Sequence, residues 1–302
     1  MVNADRGDSA AQPSSGGAVR RSGFRRDAVP LRSPRVLMYH FFGDQPPNGD
    51  PEKLFVGRKE FAAQLAELRR RGWRPLDLNG YLAALAGAPT PRRSFLLTID
   101  DGHESAVRIA APMLAEAGIP SVLFVCPGRL GDRARWSHYY PDEPLATADE
   151  LAPLPGLGME LGVHGMDHTP TIGMDKAALD THVVRSRADL AALIGAPARS
   201  FAYPFGKHDD GARNAVAAAG YDVSFAVARE AGRFAVDRIF VRRGDPLPLF
   251  RFKLTEPYRL LSRAAGRVSG LRRRVRTVVH LVTRPRGRVR SRSTNPGGGI
   301  DE

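Results

Sequence analysis

Cysteine is almost missing from this chain, with one residue, Cys126, in 302. A single thiol excludes an intrachain disulfide, so stability must come from a buried core, for which the length suffices. Cys126 ends the apolar run 121–125 and is expected to pack as a small hydrophobe. Long hydrophobic runs are missing too. No stretch reaches the roughly 18 apolar residues of a membrane-spanning helix. The first 34 residues are rich in Ser, Gly, Ala and Arg and lack the apolar segment of a secretory leader. Residues 1–34 therefore read as a disordered leader. The expected location is cytoplasmic, peripheral at the inner membrane surface. No repeat of solenoid length occurs. Acidic residues are absent from the C-terminal tail, where 257–300 holds twelve Arg and neither Asp nor Glu. The formal net charge is +13, so the tail carries nearly all the excess. The body before it has no charge pattern suited to nucleic acid.

What is present is an alternation of short apolar runs with helical periodicity. Strands are expected at 36–39, 95–99, 121–125, 159–163, 200–203 and 223–227, and helices at 60–71, 105–117, 176–194 and 212–219. Gly72, Gly118, Gly195 and Gly220 stand where helices stop. Such alternation specifies an α/β fold with a mainly parallel sheet under covering helices. Functional side chains then gather at the C-terminal ends of the strands.

Those ends carry chemistry. Asp100 and Asp101 follow the run 95–99, and two carboxylates at the mouth of a buried strand are costly unless they are used. Gly102 allows a tight turn, and alternating side-chain directions let one acid bind a metal while the other takes a proton. Alone, Asp-Asp-Gly reads more readily as a solvated turn. His164 and His168 follow the run 159–163, and two His with a carboxylate suit zinc while leaving positions for water and substrate. His40 closes the strand 36–39. Phe201-Ala202-Tyr203-Pro204-Phe205-Gly206 is another strand ending in a turn.

With these four strand ends in this order, residues 35–253 resemble the polysaccharide deacetylases of the NodB-homology type, carbohydrate esterase family 4. They resemble the branch with an N-terminal Tyr-His strand and a Phe-Ala-Tyr-Pro motif. The resemblance implies a distorted, incomplete (β/α) barrel. It implies that Asp101, His164 and His168 bind a divalent metal, most plainly Zn2+, with Co2+ or Ni2+ as alternatives. Asp100 would be the base that deprotonates the water, His40 the acid for the leaving amine, the Phe205 N–H an oxyanion donor, and Arg238 the partner that orients Asp100. Substrate contacts fall to Tyr203 and Pro204 at the turn, and to Trp136 and Tyr139 in the aromatic loop 128–147. Ile99, Gly165, Ala202 and Asp237 depart from the usual family residues, but none removes a ligand or the acid–base pair. The implied activity is metal-dependent removal of an N-acyl group, N-acetyl above all, from an amino-sugar-containing glycan or its lipid- or nucleotide-linked precursor. A catalytically silent carbohydrate- or membrane-binding barrel is the competing reading.

Other histidines carry less. His103 reads as a solvent-facing residue at a helix start, His182 as structural and His208 as a turn residue with only a modest claim on substrate. The chain divides into the leader 1–34, a catalytic domain 35–256 and a tail 257–302. In the tail, Leu261, Ala264, Val268, Leu271, Val275, Val278 and Val282 recur at steps of three and four, one apolar stripe among arginines. Such a helix through 257–292 suits an anionic membrane surface. The stripe could equally pack on the barrel with its arginines solvated, or the arginines could bind another polyanion.

Overall fold

The computed structural model describes residue 29 and residues 33–43, 49–227 and 232–267. Apolar, often β-branched runs form the strands, most of them buried on both faces. In chain order these are β1 (Arg35–Tyr39), β2 (Phe41–Phe42), β3 (Phe55–Val56), β4 (Arg74–Pro75), β5 (Ser94–Ile99), β6 (Ser121–Val125), β7 (Met159–Val163), β8 (Ser200–Ala202), β9 (Val223–Ala226), β10 (Val236–Asp237) and β11 (Ile239–Phe240). The main sheet runs β10-β9-β8-β7-β6-β5-β1-β11, with β4 added to the start of β5. Every ladder in it is parallel. The sheet is a nearly closed barrel with one open seam, the fold expected from the sequence. The seam lies between β10 and β11, which are consecutive in the chain and separated only by Arg238.

Strand period explains what points inward. Val36, Leu96, Val122, Phe124, Ala202, Val223, Phe225 and Val236 form one cluster inside the barrel, while Leu37, Tyr39, Leu97, Ile99, Leu123 and Leu161 face the helices in another. Counting on by two places His40, Asp100, His164 and Arg238 on the inner face at the C-terminal rim. Gly162 belongs to the same inner series, because a Cβ there would lie 2.5 Å from Phe124 Cε1. Tyr203 continues the outward series of Phe201.

Helices cover the sheet where expected. Arg58–Arg70 follows β3, and residues 176–194 are helical throughout, with a wide π-type turn at Asp180–Arg185. Gly72, Gly118, Gly195 and Gly220 all have positive φ just past a helix end. Helices that were not anticipated include Leu78–Leu85, capped by Asp77 on the Gly80 N–H at 2.7 Å, the short Ala148–Leu151, and Leu247–Lys253.

The ends correct the expected boundaries. Val29, assigned to the disordered leader, is buried in the barrel's inner cluster. Residues 1–28 lie outside the described residues. The last described helix, Glu256–Arg267, begins within the expected catalytic domain and is tied to it. Glu256 pairs with Arg35 at 2.8 Å, and Arg259 Nη2 donates to Ser33 Oγ at 2.6 Å. Leu260 and Leu261 on this helix are exposed. The remainder of the apolar stripe, Ala264 to Val282, lies outside the described side chains. Among the described residues no helix is long and apolar enough to cross a membrane.

Candidate active site

At the C-terminal rim, backbone ladders fix the position of each acid and imidazole. The Asp100 N–H donates to Tyr39 O at 2.9 Å and the His164 N–H to Val125 O at 2.8 Å. Asp101 Oδ1 lies 3.4 Å from His164 Nε2 and 3.2 Å from His168 Nε2. All three residues are buried, and among the described residues this is the only group of three or more metal-ligating side chains whose ligand atoms converge. Asp101 Oδ1 is a buried carboxylate oxygen with no hydrogen-bond donor in that set. His164 Nδ1 lies 2.7 Å from Ala202 O and therefore donates to it, which leaves the Nε2 lone pair facing Asp101. An undonated carboxylate oxygen beside two imidazole nitrogens is what a divalent cation requires, so these residues fit one.

Asp100 points the other way, into the barrel. Arg238 reaches across the seam and grips it with two bonds, Nη1 to Oδ1 at 2.6 Å and Nη2 to Oδ2 at 2.7 Å, while Nη1 also donates to Thr98 Oγ1 at 3.2 Å. The guanidinium lies 5.7 Å from the Phe124 ring and 5.9 Å from that of Phe225. Burial alone would raise the Asp100 carboxyl, but the Arg238 charge, with His164, holds it below the usual carboxylate range. Burial opposes ionisation of Asp101 too, and the adjacent His164 and His168 imidazoles hold it well down. Burial lowers His168, whereas at His164 the Asp100 and Asp101 charges overcome burial and raise it.

His40 lines the same cleft, with its ring 5.1 Å from Phe240. Burial lowers its pKa against the opposing pull of Asp101 and Asp100. Trp136 stacks on His168 at 4.5 Å and 15°, and Phe205 meets the same ring edge-on at 4.5 Å. Asp101, His168 and Phe205 all adopt positive φ, at 77°, 70° and 57°. Strained backbone of this kind clusters at functional sites. Tyr139 is exposed on the cleft wall.

Two expected substrate contacts are corrected. Tyr203 is fully buried in the core beneath the turn, its hydroxyl donating to Phe234 O at 2.9 Å and accepting from Ser224 Oγ at 3.1 Å. Pro204 is buried as well, and it is the neighbour that a Cβ on Gly165 would meet at 3.3 Å. Since Gly165 has φ +76°, backbone geometry and Pro204 together explain the glycine there. His103 is not solvent-facing. It is buried between Ser105 Oγ at 2.7 Å and Glu143 Oε2 at 2.9 Å. His208 is buried beside Tyr203 at 5.1 Å rather than in the cleft. Cys126 is buried, its thiol donating to His164 O at 3.2 Å.

Comparison with known proteins agrees with this architecture. The family model for polysaccharide deacetylase matches residues 87–224. A curated protein of Bacillus subtilis (strain 168), named "Putative polysaccharide deacetylase YxkH", is 22% identical over 215 residues, 69% of this chain and 71% of its own. Among solved structures, the Streptococcus pyogenes deacetylase PplD in complex with acetate superposes with a TM-score of 0.64 at 19% identity, over 73% of this chain and 97% of that one. IcaB from Ammonifex degensii gives 0.63 at 23% identity, over 74% and 98%. The resemblance to the polysaccharide deacetylases is borne out.

Proposed function

We propose that the protein is a metal-dependent amidohydrolase that removes an N-acyl group, N-acetyl above all, from an amino sugar in a glycan or in its lipid- or nucleotide-linked precursor. The observation that carries this reading is the buried Asp101–His164–His168 cluster beside an Asp100 held ionised by Arg238. A divalent ion, most plainly Zn2+, held by the first three would polarise the acyl carbonyl and acidify water. Asp100 is the group placed to take the water's proton. His40, which lines the same cleft, is the residue assigned to protonate the leaving nitrogen. The Phe205 N–H, in the tight turn closed by the Gly206 N–H on Tyr203 O at 2.8 Å, is the donor assigned to the developing oxyanion. Trp136, Tyr139 and Phe205 offer apolar faces to a sugar ring.

Acetate release from N-acetylated oligosaccharides, measured before and after chelation and after restoring Zn2+, tests the proposal. Release unaffected by removal of all metal would overturn it. Comparing polymeric, lipid-linked and nucleotide-linked substrates then assigns the carrier.

Replacing His164 or His168 by Ala should abolish stoichiometric Zn2+ binding in calorimetric titration, with the fold kept, because both side chains sit at the rim above the packed core. Native metal affinity in either variant would refute the ligand assignment. His40→Ala should bind metal normally and lose about 10²–10⁴-fold in turnover, most with poor leaving amines. A rate loss that is flat across leaving groups would leave His40 without an acid role.

A further inference from the structure

The cleft's outer walls come from segments far apart in sequence, residues 49–56 and 131–147, and one buried carboxylate joins them. The Asp50 side chain is 1% exposed. Its Oδ1 accepts the Leu54 N–H at 2.8 Å and its Oδ2 the Phe55 N–H at 3.1 Å, which folds the first segment into the turn that feeds β3. Oδ1 also accepts the hydroxyl of Tyr140 at 2.5 Å, and Arg243 stands 3.9 Å from Oδ2. The Tyr140 oxygen in turn accepts the Glu52 N–H at 3.3 Å. Its ring is buried between Phe41 at 5.6 Å and Phe55 at 5.4 Å. Burial and the bond to Asp50 push the phenol well up, so Tyr140 stays a donor.

The far end of the second wall is fastened separately. Glu143 bonds to His103, the Glu104 N–H donates to Pro144 O at 3.0 Å, and the Ala146 N–H donates to Gly102 O at 2.9 Å. Residues 131–134 pair with that end, the Gly131 N–H donating to Ala146 O at 3.0 Å and the Ala134 N–H to Glu143 O at 2.9 Å. Between Ala134 and Tyr140 lie Trp136, stacked on His168, and Tyr139. Without the Tyr140 bond, the tip carrying both aromatics would still spring from the paired base 131–134 and 143–146 but would lose its polar tie to the wall 49–56.

We infer that Asp50 and Tyr140 form a clasp that sets Trp136 over His168, and so act as positioning residues for sugar binding in the cleft. This rests on the deacylase reading of that cleft. The bond is charge-assisted and therefore roughly twice as strong as a neutral one. It links the wall bearing Glu52 and Leu54 to the wall bearing Trp136 and Tyr139, so the distance between the walls depends on it.

Tyr140→Phe tests the clasp, because it keeps the buried ring and removes only the hydroxyl. KM for an N-acetylated oligosaccharide should rise about tenfold, the equivalent of one charged hydrogen bond. Turnover should stay within about twofold. Asp50→Asn should act in the same direction and add less than its own effect in the Tyr140→Phe background, as coupled residues do. A second readout needs no turnover. In a Trp73→Phe background Trp136 is the one tryptophan left. Its emission should brighten and become more accessible to acrylamide when Tyr140 loses its hydroxyl. Unchanged KM and unchanged Trp136 emission would overturn the clasp. So would a fall in turnover that merely follows a lower melting temperature. If the wild-type protein releases no acetate, the deacylase reading falls, while Trp136 emission still decides whether the clasp exists.

Discussion

Asp100→Asn is expected to lower turnover by about 10²–10⁴-fold, the usual contribution of a positioned acid–base group, while Zn2+ affinity stays near that of the wild type. The two neighbouring acids are separated by strand geometry. Asp100 continues the inward column above Leu96 and Thr98, whereas Asp101 turns off at φ +77° to face His164 and His168. An amide at position 100 can still accept from Arg238 but cannot take a proton from water. The buried Arg238 charge loses its counter-charge, so the variant should melt below the wild type, and turnover is compared at a temperature where both proteins are folded. Metal titration and kcat measured on one preparation decide the matter. Unaltered turnover moves the base elsewhere, and a parallel loss of metal makes Asp100 a ligand.

Much of this site was legible because a parallel barrel translates sequence parity into direction. Apolar runs ending in His40, Asp100 and His164 announced strand ends, and parallel strands bring such ends to one rim. The same parity argues against the expectation for Tyr203. Phe201 faces the helices, so Tyr203, two residues on, does too, and its position beside a functional turn misled. His103 gave no local sign of burial, since its partner Glu143 lies 40 residues away in an irregular loop. Asp50 and Tyr140 are 90 residues apart, and neither belongs to a periodic element. A buried aromatic within a polar loop was the one available hint. Helix Leu78–Leu85 was missed because it is only eight residues long, although Asp77 with the Gly80 N–H is a legible cap. Arg238 was connected to Asp100 only through the family resemblance. Its reason is topological: it is the single residue between the two strands that border the seam.

That position makes Arg238→Met the substitution with the largest expected effect on stability. Removing one partner of a buried ion pair leaves the other charge uncompensated and costs about 3–5 kcal/mol. For a domain of this size that corresponds to a fall in melting temperature of about 6–20 °C. In the wild-type protein Arg238 and His164 hold the Asp100 pKa below its unfolded value. The pair's contribution is thus present above the unfolded carboxylate pKa and lost as pH falls through the lower, folded one. Without Arg238 burial dominates and the carboxyl rises, so the sign reverses. The variant should be most handicapped near neutral pH, and its deficit should shrink on acidification as Asp100 takes up a proton. Turnover should fall too, because a protonated Asp100 accepts nothing from water, and the acidic limb of the pH–rate profile should move upward. The double variant Asp100→Asn with Arg238→Met separates the two effects. It carries no buried charge of either sign at this pair, so it should recover a large part of the melting temperature while remaining inactive. If Arg238→Met alone melted like the wild type at neutral pH, or if the double variant were no more stable than the single one, the ion pair would not be what holds the seam's interior.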